Sequence, residues 1–134
     1  MEKFKNFKNN LQVLRTSEGE DLGNTFIVSG IIDKFMIQFE LSWKLLKELL
    51  KYEGSVEAAS GSPRQIIKTA YQYYDFLTES VWLEMLEERN KTAHIYDENA
   101  AVQLVEKIIS KYIPEFNKLE EKLLERYGDS LENL

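Results

Sequence analysis

The feature that most constrains the fold is a long apolar stripe in residues 31–52. Its large apolar side chains recur at steps of three and four residues, which is the spacing of one helix face. They are Ile31, Phe35, Phe39, Leu45, Leu46 and Leu49, and Trp43 and Leu50 widen the stripe. So much apolar surface around one helix is typical of the centre of a helical bundle. Residues 31–52 are therefore predicted to form a central helix.

The rest of the composition favours helices as well. Six glycines and two prolines in 134 residues provide few turns for a many-stranded sheet. Hydrophobic residues at 43% and charged residues at 30% are ordinary for a globular protein. A chain of this length corresponds to about one domain. We therefore predict an all-α protein with one domain over residues 1–134.

Apolar periodicity predicts two further helices, near the two ends of the chain. The first carries Phe4, Phe7, Leu11 and Leu14, and the last carries Val102, Val105, Ile109, Tyr112, Phe116, Leu119 and Leu123. Residues 21–29 contain Gly23 and are predicted to be a connection before the central helix, with room for one helical turn. Pro114 is expected to kink the last helix, because it lacks a backbone donor. The tail from Gly128 is expected to fray.

Polar capping residues predict where the remaining helices begin and end. Gly54 is expected to end the central helix. Residues 62–65, Ser-Pro-Arg-Gln, match a capping box with proline at the first helical position. Thr78 or Ser80 is expected to cap the next helix. Asp97 is expected to begin the last one, where a carboxylate is favoured by the helix dipole.

The candidate functional residues lie in residues 84–96. This segment holds the only histidine, His94, with Arg89 five positions before it and Tyr96 two positions after it. Arginine binds phosphate through paired donors, histidine exchanges protons near neutrality, and a tyrosine hydroxyl can accept a modifying group. An arrangement of these three side chains could serve RNA chemistry. A lone histidine near a helix end is, however, more often a structural residue than a catalytic one.

Helical geometry leaves three arrangements of this motif open. One face of a regular helix would carry Trp82, Met85, Arg89, Ala93 and Tyr96, with His94 about 140° away from Arg89. A helix break near Thr92 would bring the arginine and the histidine together. A two-fold dimer would instead place Arg89 of one subunit beside His94 of the other. In the third arrangement Arg89 pairs with a buried carboxylate such as Glu40, and Tyr96 only packs.

Charge and residue usage limit the class of function. A net charge of −6 argues against non-specific coating of nucleic acid, although a local basic site formed by Arg64, Lys68, Arg89 and Lys91 remains compatible with it. No cysteine and one histidine leave no Cys or His metal site, so neither a metal nor a cofactor is expected. The chain lacks a signal segment and an apolar run of membrane-spanning length. We therefore expect a soluble, cytoplasmic protein that is not bound to a membrane.

Four motifs in order resemble the HEPN superfamily and, within it, the nucleotidyltransferase substrate-binding proteins. They are residues 35–47, 62–67, 82–86 and 89–96, and the resemblance extends over about residues 4–127. It implies an antiparallel, up-and-down bundle of four to five helices that forms a homodimer. It also implies a partner, a minimal nucleotidyltransferase encoded nearby.

The resemblance further implies roles for individual residues. Many such pairs resemble toxin–antitoxin modules in which the helical subunit is a metal-independent endoribonuclease. Arg89 and His94 would then be the catalytic pair, and Tyr96 would be the tyrosine that the partner adenylylates to silence the nuclease. Asn90, Lys91 and Arg64 are predicted to bind the RNA or nucleotide. The alternative is a non-catalytic subunit that presents a nucleotide or another substrate to the partner.

Overall fold

The computed structural model describes residues 1–91 and 97–133, and this part of the chain is helical without a β-strand. The α-helices are α1 (Glu2–Arg15), α2 (Thr25–Tyr52), α3 (Pro63–Tyr73), α4 (Glu79–Lys91), α5 (Glu98–Lys107), α6 (Ile113–Tyr127) and α7 (Ser130–Asn133). A 3-10 turn, Glu57–Ala59, precedes α3, and a π-helical segment, Ile108–Tyr112, joins α5 to α6. The predicted all-α fold class is confirmed. Within these described ranges, no helix is both long enough and apolar enough to cross a membrane.

Helix α2 lies at the centre of the bundle, as its apolar stripe predicts. It contacts α1, α3, α4 and α5. Phe35, Phe39 and Leu46 on this helix are completely buried. The ring of Phe35 stacks on Tyr112 at 5.3 Å, and Phe39 packs against Trp82 at 6.4 Å. Removing apolar surface from water stabilises the folded state by about 25 cal/mol per Å². The buried stripe of α2 therefore contributes strongly to the free energy of folding.

Two pairs of packed helical elements run in opposite directions. Lys3 on α1 pairs with Glu48 on α2, whereas Asn10 of α1 donates to the backbone carbonyl of Lys34. Residue numbers therefore rise along α1 as they fall along α2. The same reversal holds between α4 and the continuous run of α5, the π-segment and α6, because Thr78 bonds Glu115 while Glu84 pairs with Lys107. The described part of the chain is therefore a helical bundle in which these two pairs are antiparallel, whereas α2 and α3 end on the same side, where Tyr73 bonds Glu53.

Helix α2 begins six residues earlier than the apolar pattern predicts. The side chain of Asn24 accepts hydrogen bonds from the backbone N–H groups of Phe26 and Ile27, at 2.9 and 3.3 Å. Such a cap is worth about 1 kcal/mol, which offsets the similar cost of Gly30 inside the helix. Val28, which belongs to this added turn, is buried. The predicted connection is therefore limited to residues 21–24, and the helical turn allowed in this segment is the start of α2.

The irregularity expected at Pro114 is present as a change of helix type. Residues Ile108–Tyr112 form the π-helical segment, and Pro114 lies in the first turn of α6. A proline at this position has no N–H for the carbonyl of Ser110, so the regular α-helical bonding cannot continue through it. The wider π-turn absorbs this defect immediately before the proline.

The C-terminal residues pack against the bundle instead of fraying. Gly128 adopts a positive φ of 55° and ends α6, and the chain then forms the short helix α7. Leu131 is completely buried, and the N-terminal ammonium of Met1 donates to the carbonyl of Glu132 at 2.6 Å. The prediction of a frayed tail is wrong, because one buried leucine anchors it beside α1.

Candidate functional site

Helix α4 is fixed at its beginning by a buried carboxylate from α6. Glu115 accepts hydrogen bonds from the backbone N–H of Thr78 at 2.9 Å and from the indole N–H of Trp82 at 3.0 Å. The carbonyl of Thr78 in turn accepts the first bonds of the helix, so Thr78 and not Ser80 marks its start. Trp82 and Met85 are completely buried on the inner face. These contacts set the rotation of α4 and thereby the direction in which Arg89 points.

Arg89 forms an ion pair with Glu40 of the central helix. The Nη2 atom of Arg89 lies 2.7 Å from Oε1 of Glu40, and both side chains are about one-third exposed, at 31% and 30%. Glu40 is itself held by the indole N–H of Trp43, which donates to Oε2 at 3.0 Å. Arg89 also donates to the side-chain oxygen of Asn90 at 3.4 Å. The pairing with Glu40 that one arrangement predicted is present, although Glu40 is half-buried and not buried.

His94 and Tyr96 lie outside the described residues, as does Thr92. Helix α4 is described as far as Lys91, and the chain resumes at Asp97, whose side chain accepts from the backbone N–H of Asn99 at 2.9 Å. That cap confirms the predicted start of the last helix. A helix break near residue 92 and a site shared between two subunits both remain predictions.

Two of the four candidate cations, Arg64 and Lys91, lie together in a groove between α3, α4 and the end of α5. The groove has a volume of about 530 Å³ and is also lined by Lys107 and by three carboxylates, those of Glu84, Glu87 and Glu88. Lys68 and Arg89 do not line it. The structure therefore brings together two of the four candidates for a local basic site. The groove carries both signs of charge, which is less suited to a phosphodiester backbone than a basic surface would be.

Ion pairs connect this groove to the π-helical segment and to the residue before it. Glu84 forms ion pairs with Lys111 at 2.5 Å and with Lys107 at 3.7 Å. Lys111 is the main reason that the pKa of Glu84 is lowered. Tyr112 is buried beneath them, and both its burial and the charge of Glu84 raise the pKa of its hydroxyl. These pairs attach the outer face of α4 to the π-segment.

The chain matches the model of one protein family. The model of the family described as "Nucleotidyltransferase substrate binding protein like" matches residues 2–125. The chain belongs to this family. None of the curated proteins that were compared with the chain is similar to it in sequence.

The match to the nucleotidyltransferase substrate-binding family includes every helix that positions the motif. Residues 2–125 contain α1 to α5 and most of α6, and therefore include the Arg89–Glu40 pair and the groove with Arg64 and Lys91. Arg126 lies just beyond the matched range. Family membership supports a nucleotidyltransferase as the partner.

A second polar cluster, which the sequence patterns did not reveal, lies at the far end of the bundle. Glu53, at the end of α2, accepts hydrogen bonds from the hydroxyls of Tyr73 at 2.5 Å and Tyr127 at 3.1 Å. The hydroxyls of Tyr74 and Tyr127 lie 2.6 Å apart. The only sequence signal is that three helices, α2, α3 and α6, each end in a tyrosine, and that signal does not show which ends meet.

Proposed function

We propose that this nucleotidyltransferase partner is a metal-independent endoribonuclease of the HEPN type, the toxin half of a toxin–antitoxin pair. The observation that carries the proposal is the fixed position of Arg89. Its ion pair with Glu40, itself held by Trp43, orients a guanidinium at the C-terminal end of α4, five residues before the only histidine. An oriented cation stabilises developing charge better than a mobile one, because no reorganisation is needed during the reaction.

The proposed reaction is attack by a ribose 2′-hydroxyl on the adjacent phosphate. His94 removes the hydroxyl proton as a general base and returns a proton to the leaving 5′-oxygen. Arg89 stabilises the additional negative charge on the phosphorus oxygens. Asn90, Lys91 and Arg64 hold the RNA on either side. Each step uses groups that the chain itself supplies.

The second candidate function is a binding subunit that presents a nucleotide or another substrate to the partner. It is favoured by the groove that contains Arg64 and Lys91, because Glu84, Glu87 and Glu88 line the same groove. Carboxylates repel an RNA backbone, but they can bind hydroxyl or amino groups of a smaller ligand. In this alternative Arg89 only joins α4 to α2.

We also propose that the chain forms a homodimer through the outer face of α2. Phe26 is 88% exposed, and Ile37, also exposed, lies eleven residues later, about 20° away around the helix. Phe26→Asp is expected to convert the dimer to a monomer in sedimentation at micromolar concentration. Val56→Asp, which charges an equally exposed apolar residue in the loop after α2, should leave the dimer intact. A wild-type monomer would contradict both the dimer and the shared active site.

The proposed function is tested by two RNA-cleavage assays, one of the chain alone with a chelator present and one of the chain after incubation with magnesium, ATP and the nucleotidyltransferase expected to be encoded nearby. We expect the purified chain to cleave RNA and the partner with ATP to suppress cleavage. Tyr96→Phe should cleave RNA but escape suppression, because it lacks the hydroxyl that receives the adenylyl group. Intact RNA in every reaction would favour the binding subunit, which should then bind a nucleotide or the partner's substrate in calorimetry.

A further inference from the structure

The cluster at the far end of the bundle contains an exposed hydroxyl that donates to a carboxylate. Tyr73 ends α3 and is 39% exposed, and its hydroxyl donates to Oε2 of Glu53 at 2.5 Å. The other oxygen of Glu53 accepts from Tyr127. That second bond, together with the turn at Gly54 with its φ of +90°, holds the carboxylate at the end of α2. A nucleophile hydrogen-bonded to a positioned base is the usual arrangement for activating a hydroxyl group.

A cation, Arg126, lies against the ring of the same tyrosine. The guanidinium carbon of Arg126 is 4.9 Å from the centre of the Tyr73 ring and 5.1 Å from that of Tyr74. Glu53 is the main cause that raises the pKa of Tyr73, whereas Arg126 acts in the opposite direction. The Tyr73 hydroxyl therefore keeps its proton at neutral pH and must lose it during any attack. Arg126 is placed to bind an anion that arrives at this hydroxyl.

Space for an incoming group exists next to Tyr73. A shallow cavity of about 280 Å³ is lined by Glu53 and Tyr73, by a second carboxylate, Glu57, and by Leu50, Ser55, Thr69 and Gln72. It opens between the end of α2 and the last turns of α3. A hydroxyl, a base, a cation and an open cavity therefore lie together, well separated along α2 from Glu40.

We propose that Tyr73 is an acceptor of a nucleotidyl group transferred by the partner nucleotidyltransferase. This inference rests on the proposed function, because that function supplies the partner, which holds the nucleoside triphosphate and its magnesium ion. The oxygen of Tyr73 forms a bond to the α-phosphorus, the bond from that phosphorus to the β-phosphate oxygen breaks, and pyrophosphate leaves. The phenolic proton passes to Glu53, and Arg126 neutralises an oxygen of the transferred phosphate.

The other tyrosines at this end of the bundle lack part of this arrangement. Tyr74 is completely buried, and Tyr127 is half-buried with its hydroxyl engaged by Tyr74 and Glu53. Tyr52 is 60% exposed and its ring packs against Tyr127, but among the described residues its hydroxyl donates to no carboxylate. Tyr71 lies on the same helix as Tyr73 and is similarly exposed. In the described part of the chain, however, its hydroxyl donates a hydrogen bond to no carboxylate. Tyr71 is therefore the matched control for Tyr73.

Tryptic mapping after incubation with the partner, magnesium and ATP tests the proposal. Cleavage at lysine and arginine separates residues 69–89, which contain Tyr73, from residues 92–107, which contain Tyr96. We expect an adenylyl mass on the first peptide that is absent in Tyr73→Phe and unchanged in Tyr71→Phe. Glu53→Gln should slow the labelling of this peptide by roughly a hundredfold, because the amide accepts a hydrogen bond but not the proton.

The possible outcomes separate this inference from the proposed function. Label on residues 69–89 without RNA cleavage would support Tyr73 as an acceptor and reject the ribonuclease. Label confined to residues 92–107 would overturn the inference while leaving silencing through Tyr96 intact. A complex with the partner that carries no label would overturn both modification sites. Thermal melting of Tyr73→Phe should remain close to wild type, because the ring contacts with Tyr74 and Arg126 are kept.

Discussion

Replacement of Arg89 or His94 by alanine is expected to lower RNA cleavage by roughly two to four orders of magnitude. His94→Ala removes the group that transfers protons, and Arg89→Ala removes the cation that stabilises the phosphorane. Both variants should keep the helical circular dichroism signal, and the Arg89 side chain, which is 31% exposed, does not belong to the buried core. Cleavage that persists in both variants would assign the activity to other residues.

Two control variants separate catalysis by Arg89 from its structural pairing. Glu40→Gln removes the charge of the carboxylate but leaves the guanidinium in place. If Arg89 serves only to join α4 to α2, Glu40→Gln should lower the rate of RNA cleavage as much as Arg89→Ala does. Arg15→Ala breaks a comparable pair with Glu120, also 2.7 Å long, on another face of the bundle. We expect this variant to cleave RNA at nearly the wild-type rate.

The pH dependence of cleavage provides an independent check on His94. A histidine that acts as a base must be neutral, and one that acts as an acid must be protonated, so the rate should change near neutrality. His94→Ala should lose this titration along with most of its activity. A residual rate with an unchanged pH profile would show that another group titrates.

Replacement of Glu115 by alanine is expected to lower the free energy of unfolding by about 3 kcal/mol. It leaves the buried indole N–H of Trp82 and the part-buried backbone N–H of Thr78 without their acceptor. The indole N–H is then desolvated without compensation, at about 1 to 3 kcal/mol, and the lost bond to Thr78 adds a smaller cost of about 1 kcal/mol. In a domain of this size the melting temperature should fall by about 10 °C.

Two related substitutions show whether the buried acceptor is responsible. Glu115→Gln keeps an oxygen for both donors and loses only the charge that faces Lys118 at 3.1 Å, so its cost should be about 1 kcal/mol. Glu125→Ala removes an exposed glutamate of the same helix, paired with Lys122, and should cost less than about 0.5 kcal/mol. Equal losses for Glu115→Ala and Glu125→Ala in urea unfolding would contradict the role assigned to Glu115.

Local patterns predicted most helix positions because the energies that set them are local. The stripe of α2 repeats at helical spacing, and the capping box at Ser62 is formed as expected, with Gln65 returning a hydrogen bond to the backbone N–H of Ser62. Gly54 and Asp97 also mark helix ends where predicted. The early start of α2 did not follow from the apolar pattern, because it depends on the cap at Asn24, which offsets the weak helix propensity of Gly30.

The sequence by itself determined an all-α chain, its helix pattern, and the motif of Arg89, His94 and Tyr96 as the place to look for function. Only the tertiary structure decided which side chains meet. Glu53, Tyr73 and Arg126 come from three helix ends, and Glu115 is buried only because α4 packs on α6. Periodicity specifies the face on which a residue lies but not the partner opposite it. That choice depends on packing between elements distant in the chain, whose energies no local window contains.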